Sequence, residues 1–139
     1  SANLGNFLNC TSEPRIWDYI PLKVPHHALM EAGDKLILSW HGYEEFAGTR
    51  PIAGTGDVLE RVLSLEDASR GYVFQQDKYD EKVKPIRSPD PHSLGSSASA
   101  EYTLMRGTRV LGRSRIRYVK IDRRRGEVWC GPDGDGPDK

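Results

Sequence analysis

The clearest order in this chain is a period of two. In KLILSWHGY, residues 35–43, Leu36, Leu38 and Trp40 alternate with Lys35, Ser39 and His41, and Ile37 alone breaks the polar side. Successive strand side chains point to opposite faces, so the spacing predicts a half-buried β-strand with Trp40 in the core. The pattern returns in residues 98–122. There Ala100, Tyr102 and Leu104 alternate with Ser99, Glu101 and Thr103, Gly107 suits a turn, and a return strand follows over 110–122. The alternation slips along that return strand, which a β-bulge explains. Ile116 and Tyr118 are expected on its apolar face together with Ala100, Tyr102 and Leu104.

Shorter runs fill the rest. Residues 16–24 predict a strand that Pro21 confines to a sheet edge or interrupts, because proline cannot donate to a ladder. In residues 58–65, Val58, Leu59, Val62, Leu63 and Leu65 also fit a helical period, but the short bounded run favours a strand; residues 66–70 fit a helical turn as an option, and residues 72–74 fit another short strand. Tyr79 and Val83 are anchors in a charged stretch, and Pro85-Ile86 could begin an edge strand. Residues 44–57 and 88–99 are rich in Gly, Pro and Ser and are expected as loops. About seven short strands with turns between them predict an all-β, antiparallel sandwich. The expected organisation is an extended lead-in over 1–15, one domain over 16–125, and a flexible Gly/Pro/Asp-rich tail over 126–139.

Composition narrows the function. The 139 residues suit one domain, and Gly and Pro total 23, which disfavours long helices. Formal net charge is zero, but residues 1–105 carry net −5 and residues 106–139 net +5. Zero overall charge argues against a dedicated nucleic-acid binder. No apolar run reaches the roughly 18 residues of a membrane span, so membrane insertion is not expected. The basic excess is concentrated in nine Arg and Lys side chains between Arg106 and Arg125. Arg113, Arg115 and Arg117 alternate and would set three guanidinium groups on one strand face, a surface for an anionic ligand. Pairing with carboxylates such as Glu101 is the alternative use of that face.

Aromatic residues offer a second candidate surface. Tyr43 and Phe46, where the first long loop begins, are expected as the exposed pair of a carbohydrate platform. The four histidines have no metal-ligand spacing, and no G-x-S-x-G or phosphate loop occurs, so no catalytic residue, metal or cofactor is expected. Cys10 and Cys130 lie near opposite ends of the chain and either form a disulfide that ties the ends or remain as two thiols.

With these residues in order, the chain resembles bacterial immunoglobulin-like modules of large surface and secreted proteins. The resemblance rests on Gly33-Asp34-x-Leu36-x-Leu38-x-Trp40-x-Gly42-Tyr43, Pro51-Ile52-x-Gly54-Thr55 and Gly71-Tyr72-Val73-Phe74. It continues through Val83-x-Pro85-Ile86, Ala98-x-Ala100-x-Tyr102-Thr103-Leu104-x-Arg106-Gly107 and Ser114-x-x-Arg117-x-Val119-x-Ile121-Asp122. It implies an Ig-like sandwich that serves as a non-catalytic structural or adhesion module, extracellular or at the cell surface, beside neighbouring domains of a longer chain. Protein or glycan partners fit such a module. The Cys…Trp…Cys core of antibody-type domains is absent, and Cys10 and Cys130 fall outside the matching pattern.

Overall fold

The computed structural model describes residues 7–10, 12–87, 95–122, 124–125, 128–131 and 134–136. In chain order these form β1 (Phe7–Asn9), β2 (Ile20–Pro25), β3 (Lys35–Tyr43), β4 (Asp57–Val62), α1 (Leu65–Arg70) and β5 (Gly71–Gln76). A π-helical turn (Tyr79–Val83) follows, then β6 (Ser96–Arg106), β7 (Arg109–Arg113), β8 (Arg117–Asp122), β9 (Arg124–Arg125), β10 (Val128–Gly131) and β11 (Gly134–Gly136). The class is all-β.

The main sheet runs β1-β8-β6-β3-β4, and β7 pairs with β6 on the edge that β8 also uses. It curls into half a barrel. β3 pairs with β6 along its whole length, from Lys35↔Met105 to Tyr43↔Ser97, and with β4 over Lys35–Trp40. The concave face carries the apolar phase: Leu36, Leu38, Trp40, Ala98, Ala100, Leu104, Val119 and Ile121 are all buried. A two-stranded antiparallel ribbon, β2 with β5, supplies Ile20, Leu22, Val24 and Phe74 to the same core. Pro21 sits in that ribbon opposite Gln75, where each strand has an unpaired edge, the setting in which a strand tolerates proline.

Local chemistry explains the breaks. Ser64 caps α1 by accepting from the Asp67 N–H, and the Asp67 carboxylate returns the bond to the Ser64 N–H, a reciprocal capping box. Gly71 ends the helix at φ +85, a backbone region that disfavours side chains. Tyr79 and Val83 anchor the π-helical turn in the core, the role expected of them in that charged stretch. The indole N–H of Trp40 donates to the Lys82 carbonyl of that turn at 3.1 Å.

Several expectations are corrected. Pro85-Ile86 forms no strand; Ile86 is instead a core residue packed over Gly42, where a Cβ would lie 2.5 Å from its side chain. Ser96 to Ser99 belong to β6, whereas residues 88–94 of the expected loop lie outside the described residues. The long return strand is two strands, β7 and β8, broken at Ser114–Ile116. The Ser114 hydroxyl there accepts from the Tyr102 N–H. Leu111 is the extra residue of a bulge, since Gly112 faces Leu104 and Val110 faces Met105. Ile116 is 53% exposed, and Val119 and Ile121 take the core positions expected of Ile116 and Tyr118. The lead-in docks: β1 pairs parallel with β8 and buries Leu8. Within the expected tail, β9, β10 and β11 form an antiparallel meander.

Four carboxylates hold loops to this frame, and each titrates below its ordinary value. Arg106 grips Asp34 with two charge-assisted bonds of 2.8 and 2.9 Å, which outweigh the cost of burying that carboxyl. The Thr49 hydroxyl and the Arg50 and Thr49 N–H groups hold Glu45 down to about 2. Burial raises Asp57, but donation from Gln76 and Lys78 overcomes it. The Ser64 N–H and Arg61 lower Asp67. A carboxylate depressed by folding adds stability above its unfolded pKa, and that stability drains as pH falls through the folded value. The urea midpoint is therefore expected to be flat near neutral pH and to fall steadily from about pH 4 to about pH 2. A midpoint that rises on acidification would contradict these contacts.

Candidate functional site

The convex face of the main sheet collects the polar phase of its strands. Ser39, His41 and Tyr43 of β3 stand opposite Glu101, Ser99 and Ser97 of β6, and Tyr118 of β8 stands opposite Ser99. Their neighbours Leu38, Trp40, Ala98, Ala100 and Val119 are buried on the other side, so strand alternation brings all seven to one surface. The His41 and Tyr43 rings lie 5.4 Å apart, and Tyr43 meets Tyr118 edge-on at 5.9 Å. The Ser99 hydroxyl donates to the Tyr43 hydroxyl at 3.4 Å. His41 Nδ1 donates to the Gly42 carbonyl at 2.9 Å, which leaves Nε2 of the neutral ring as an acceptor.

Loop 44–50 frames one side of this surface. Ser96 and Ser97 donate to the carbonyls of Glu44 and Glu45 at 3.1 and 2.7 Å and tie the loop to β6. Gly48, at φ +71, lies against the Tyr118 ring, where a Cβ would come within 2.3 Å. Lys120 sits 5.2 Å from the centre of the Phe46 ring, within cation–π range.

Beside the rings runs an open groove of about 630 Å³, lined by Ser39, His41, Tyr43, Asp57, Ser99 and Glu101, a size within the roughly 300–1,000 Å³ of ligand pockets. Its two carboxylates differ. Asp57 is bonded to Gln76 at 3.1 Å and to Lys78 at 3.3 Å. Glu101 has no ion pair among the described residues and keeps its acceptor capacity for a ligand. Rings, hydroxyls, one imidazole acceptor and one uncommitted carboxylate make a surface that stacks and hydrogen-bonds. Among the described residues no group of three or more His, Cys, Asp or Glu is arranged to hold a metal.

The arginine row does not assemble as expected. β7 ends at Arg113 and β8 begins at Arg117, and Arg115 lies in the break between them. Arg113 lines a second pocket below the β6–β7 hairpin, whereas Arg115 and Arg117 line neither. None of the three forms an ion pair with a described residue, Glu101 included. Tyr43 and Phe46 are both half-buried, Tyr43 on the groove and Phe46 under Lys120. Cys10 is buried and disulfide-bonded; Cys130, the chain's other cysteine, lies in β10.

Sequence reasoning did not single out His41, Ser99, Glu101 and Tyr118 as parts of one surface. The signal for the first three was the polar phase itself, Ser39-x-His41-x-Tyr43 beside Ser97-x-Ser99-x-Glu101. No family model, curated protein or solved structure matches the chain, and no helix among the described residues is long and apolar enough to cross a membrane.

Proposed function

We propose that this chain is a non-catalytic adhesion module of a larger surface or secreted protein, and that its convex face binds a neutral or amino saccharide. The observation that carries the reading is the His41–Tyr43–Tyr118 ring cluster beside a groove whose uncommitted charge is the Glu101 carboxylate. Aromatic rings stack on the C–H faces of pyranose rings, and the polar tips of tyrosine and histidine serve hydroxyls at the same time. A free carboxylate accepts from sugar hydroxyl or ammonium groups and repels acidic sugars. That charge disfavours the anionic-ligand reading for this face.

The Ig-like fold is part of the proposal. Antiparallel strands from two sheets around one core support it; the parallel β1 and the two-stranded second sheet are departures from the usual pattern. The bonded Cys10 supports an oxidising, extracellular setting, since such bonds persist outside the cytosol. Arg106 is committed to Asp34 and Lys120 lies over Phe46; Arg109, Arg115 and Arg117 are then solubilising or serve neighbouring domains, and nucleic acid is not a proposed partner.

Screening against cello-, malto-, xylo- and chito-oligosaccharides tests the reading. Binding is expected, with Tyr43→Ala and Glu101→Gln each weakening it roughly tenfold, and with Arg115→Ser/Arg117→Ser leaving it unchanged. Absence of any saccharide binding, or binding lost only in the arginine double variant, would sink the proposal.

A further inference from the structure

A second pocket lies away from the groove, between the β6–β7 hairpin and the segment that follows β2. Its volume is about 120 Å³. Met30 and Leu104 are buried, Leu111 and Tyr102 are half-buried, and exposed His27, Leu29, Gly112 and Arg113 complete the lining. Its shape comes from two devices already described. The Leu111 bulge adds one residue to β7 opposite the buried Leu104. Arg106 bonds the Leu29 carbonyl at 2.9 Å and grips Asp34, which fixes the facing segment.

The polar groups around this apolar space are donors. Arg113 has no ion pair among the described residues. His27 Nδ1 accepts from the Leu29 N–H at 3.1 Å, which sets the neutral ring's proton on Nε2. The Tyr102 hydroxyl has no hydrogen-bond partner among the described residues. No carboxylate lines the pocket. An apolar interior with a cation and neutral donors at its edge matches an apolar tail that ends in an acid. A cavity of about 150 Å³ accommodates benzene, so a tail of similar bulk or slightly smaller fits here.

We propose that this pocket binds a short aliphatic carboxylate, its alkyl chain against Met30, Leu104 and Leu111 and its carboxylate held by Arg113. The site is separate from the saccharide groove and does not depend on that reading.

The chain has two methionines, Met30 in the pocket and Met105 outside it, so methyl-labelled protein carries a reporter and an internal control. Titration of the full chain with hexanoate is expected to shift Met30 and not Met105, with millimolar-range affinity. Hexanol should bind more weakly, and hexylamine not at all. Arg113→Gln should cost hexanoate about tenfold and leave hexanol unchanged. Gly112 lines the pocket, its backbone is outside the left-handed region, and a Cβ there would meet no atom within 4 Å, so Gly112→Leu is expected to occupy the pocket and abolish both. Unchanged thermal stability of both variants secures that comparison. No shift at Met30, equal binding of hexanoate and hexanol, or hexanoate binding that survives Arg113→Gln would overturn the assignment. Hexanol bound in preference to hexanoate would also overturn it, and would mark the pocket as a seat for an apolar side chain of a partner.

Discussion

Replacing Trp40 with alanine is expected to cost about 4 kcal/mol of unfolding free energy. Trp40 is 2% exposed at the centre of β3, the strand with the longest pairing in the sheet. Its removal opens a cavity between the sheet and the π-helical turn, and it leaves the Lys82 carbonyl without the indole donor. The same turn is tied to loop 44–56 by Lys82 Nζ, which donates to the Gly54 and Gly56 carbonyls at 3.1 and 2.8 Å. The loss should therefore loosen one wall of the groove as well. Trp40→Phe separates the two effects: it keeps most of the buried ring, gives up the hydrogen bond, and should cost about 1–2 kcal/mol. Urea denaturation followed by circular dichroism measures both. A cost below about 1 kcal/mol for Trp40→Ala would mean that the core is organised around other residues.

Removing the cross-link at Cys10 is the second large effect. With 119 residues between Cys10 and Cys130, the chain-entropy model gives about 4–5 kcal/mol as an upper figure. Cys10→Ser, Cys130→Ser and the double variant should all lose the same amount, because each deletes one shared bond. A reducing agent should lower the wild-type midpoint to that of the double variant and leave the double variant unmoved. Leu8 of β1 pairs with β8, and the buried Cys10 directly follows that strand, so the loss should appear first as faster amide exchange in β1 and β8. Additive losses in the double variant, or two thiols titrating in unreduced denatured protein, would contradict the cross-link.

What the sequence discloses follows from which forces act locally. β3 was readable because its apolar phase is large and regular, and Trp40 in the core followed from that phase. The β6–β7 turn was readable from Gly107. The start of β6 was not: Ser96-Ser97-Ala98-Ser99 has turn-like composition, yet it becomes a central strand because β3 and β8 pair with both its edges. Its serine hydroxyls are satisfied by carbonyls of loop 44–50, partners about fifty residues distant in sequence. Pairing context decides strand formation there, and composition does not.

The bulge at Leu111 and the break at Ser114–Ile116 mattered most for the site. A one-residue slip exchanges the two faces of a strand. Slippage in residues 110–122 was legible, but its position was not, so Tyr118 was assigned to the core and the arginines to a single row. Correct placement of the break moves Tyr118 to the ring cluster and separates Arg113 from Arg117. β1 lay beyond local reasoning altogether, because its partner is more than a hundred residues away.

The most direct test of the saccharide face is an amide-shift titration of the isotope-labelled full chain with the tightest oligosaccharide from the screen. Shifts confined to Ser39, His41, Tyr43, Ser99, Glu101 and Tyr118, with Met30 and Arg113 unmoved, are the expected result. Shifts centred on Arg115 and Arg117, or no saturable shift on the convex face, would contradict it.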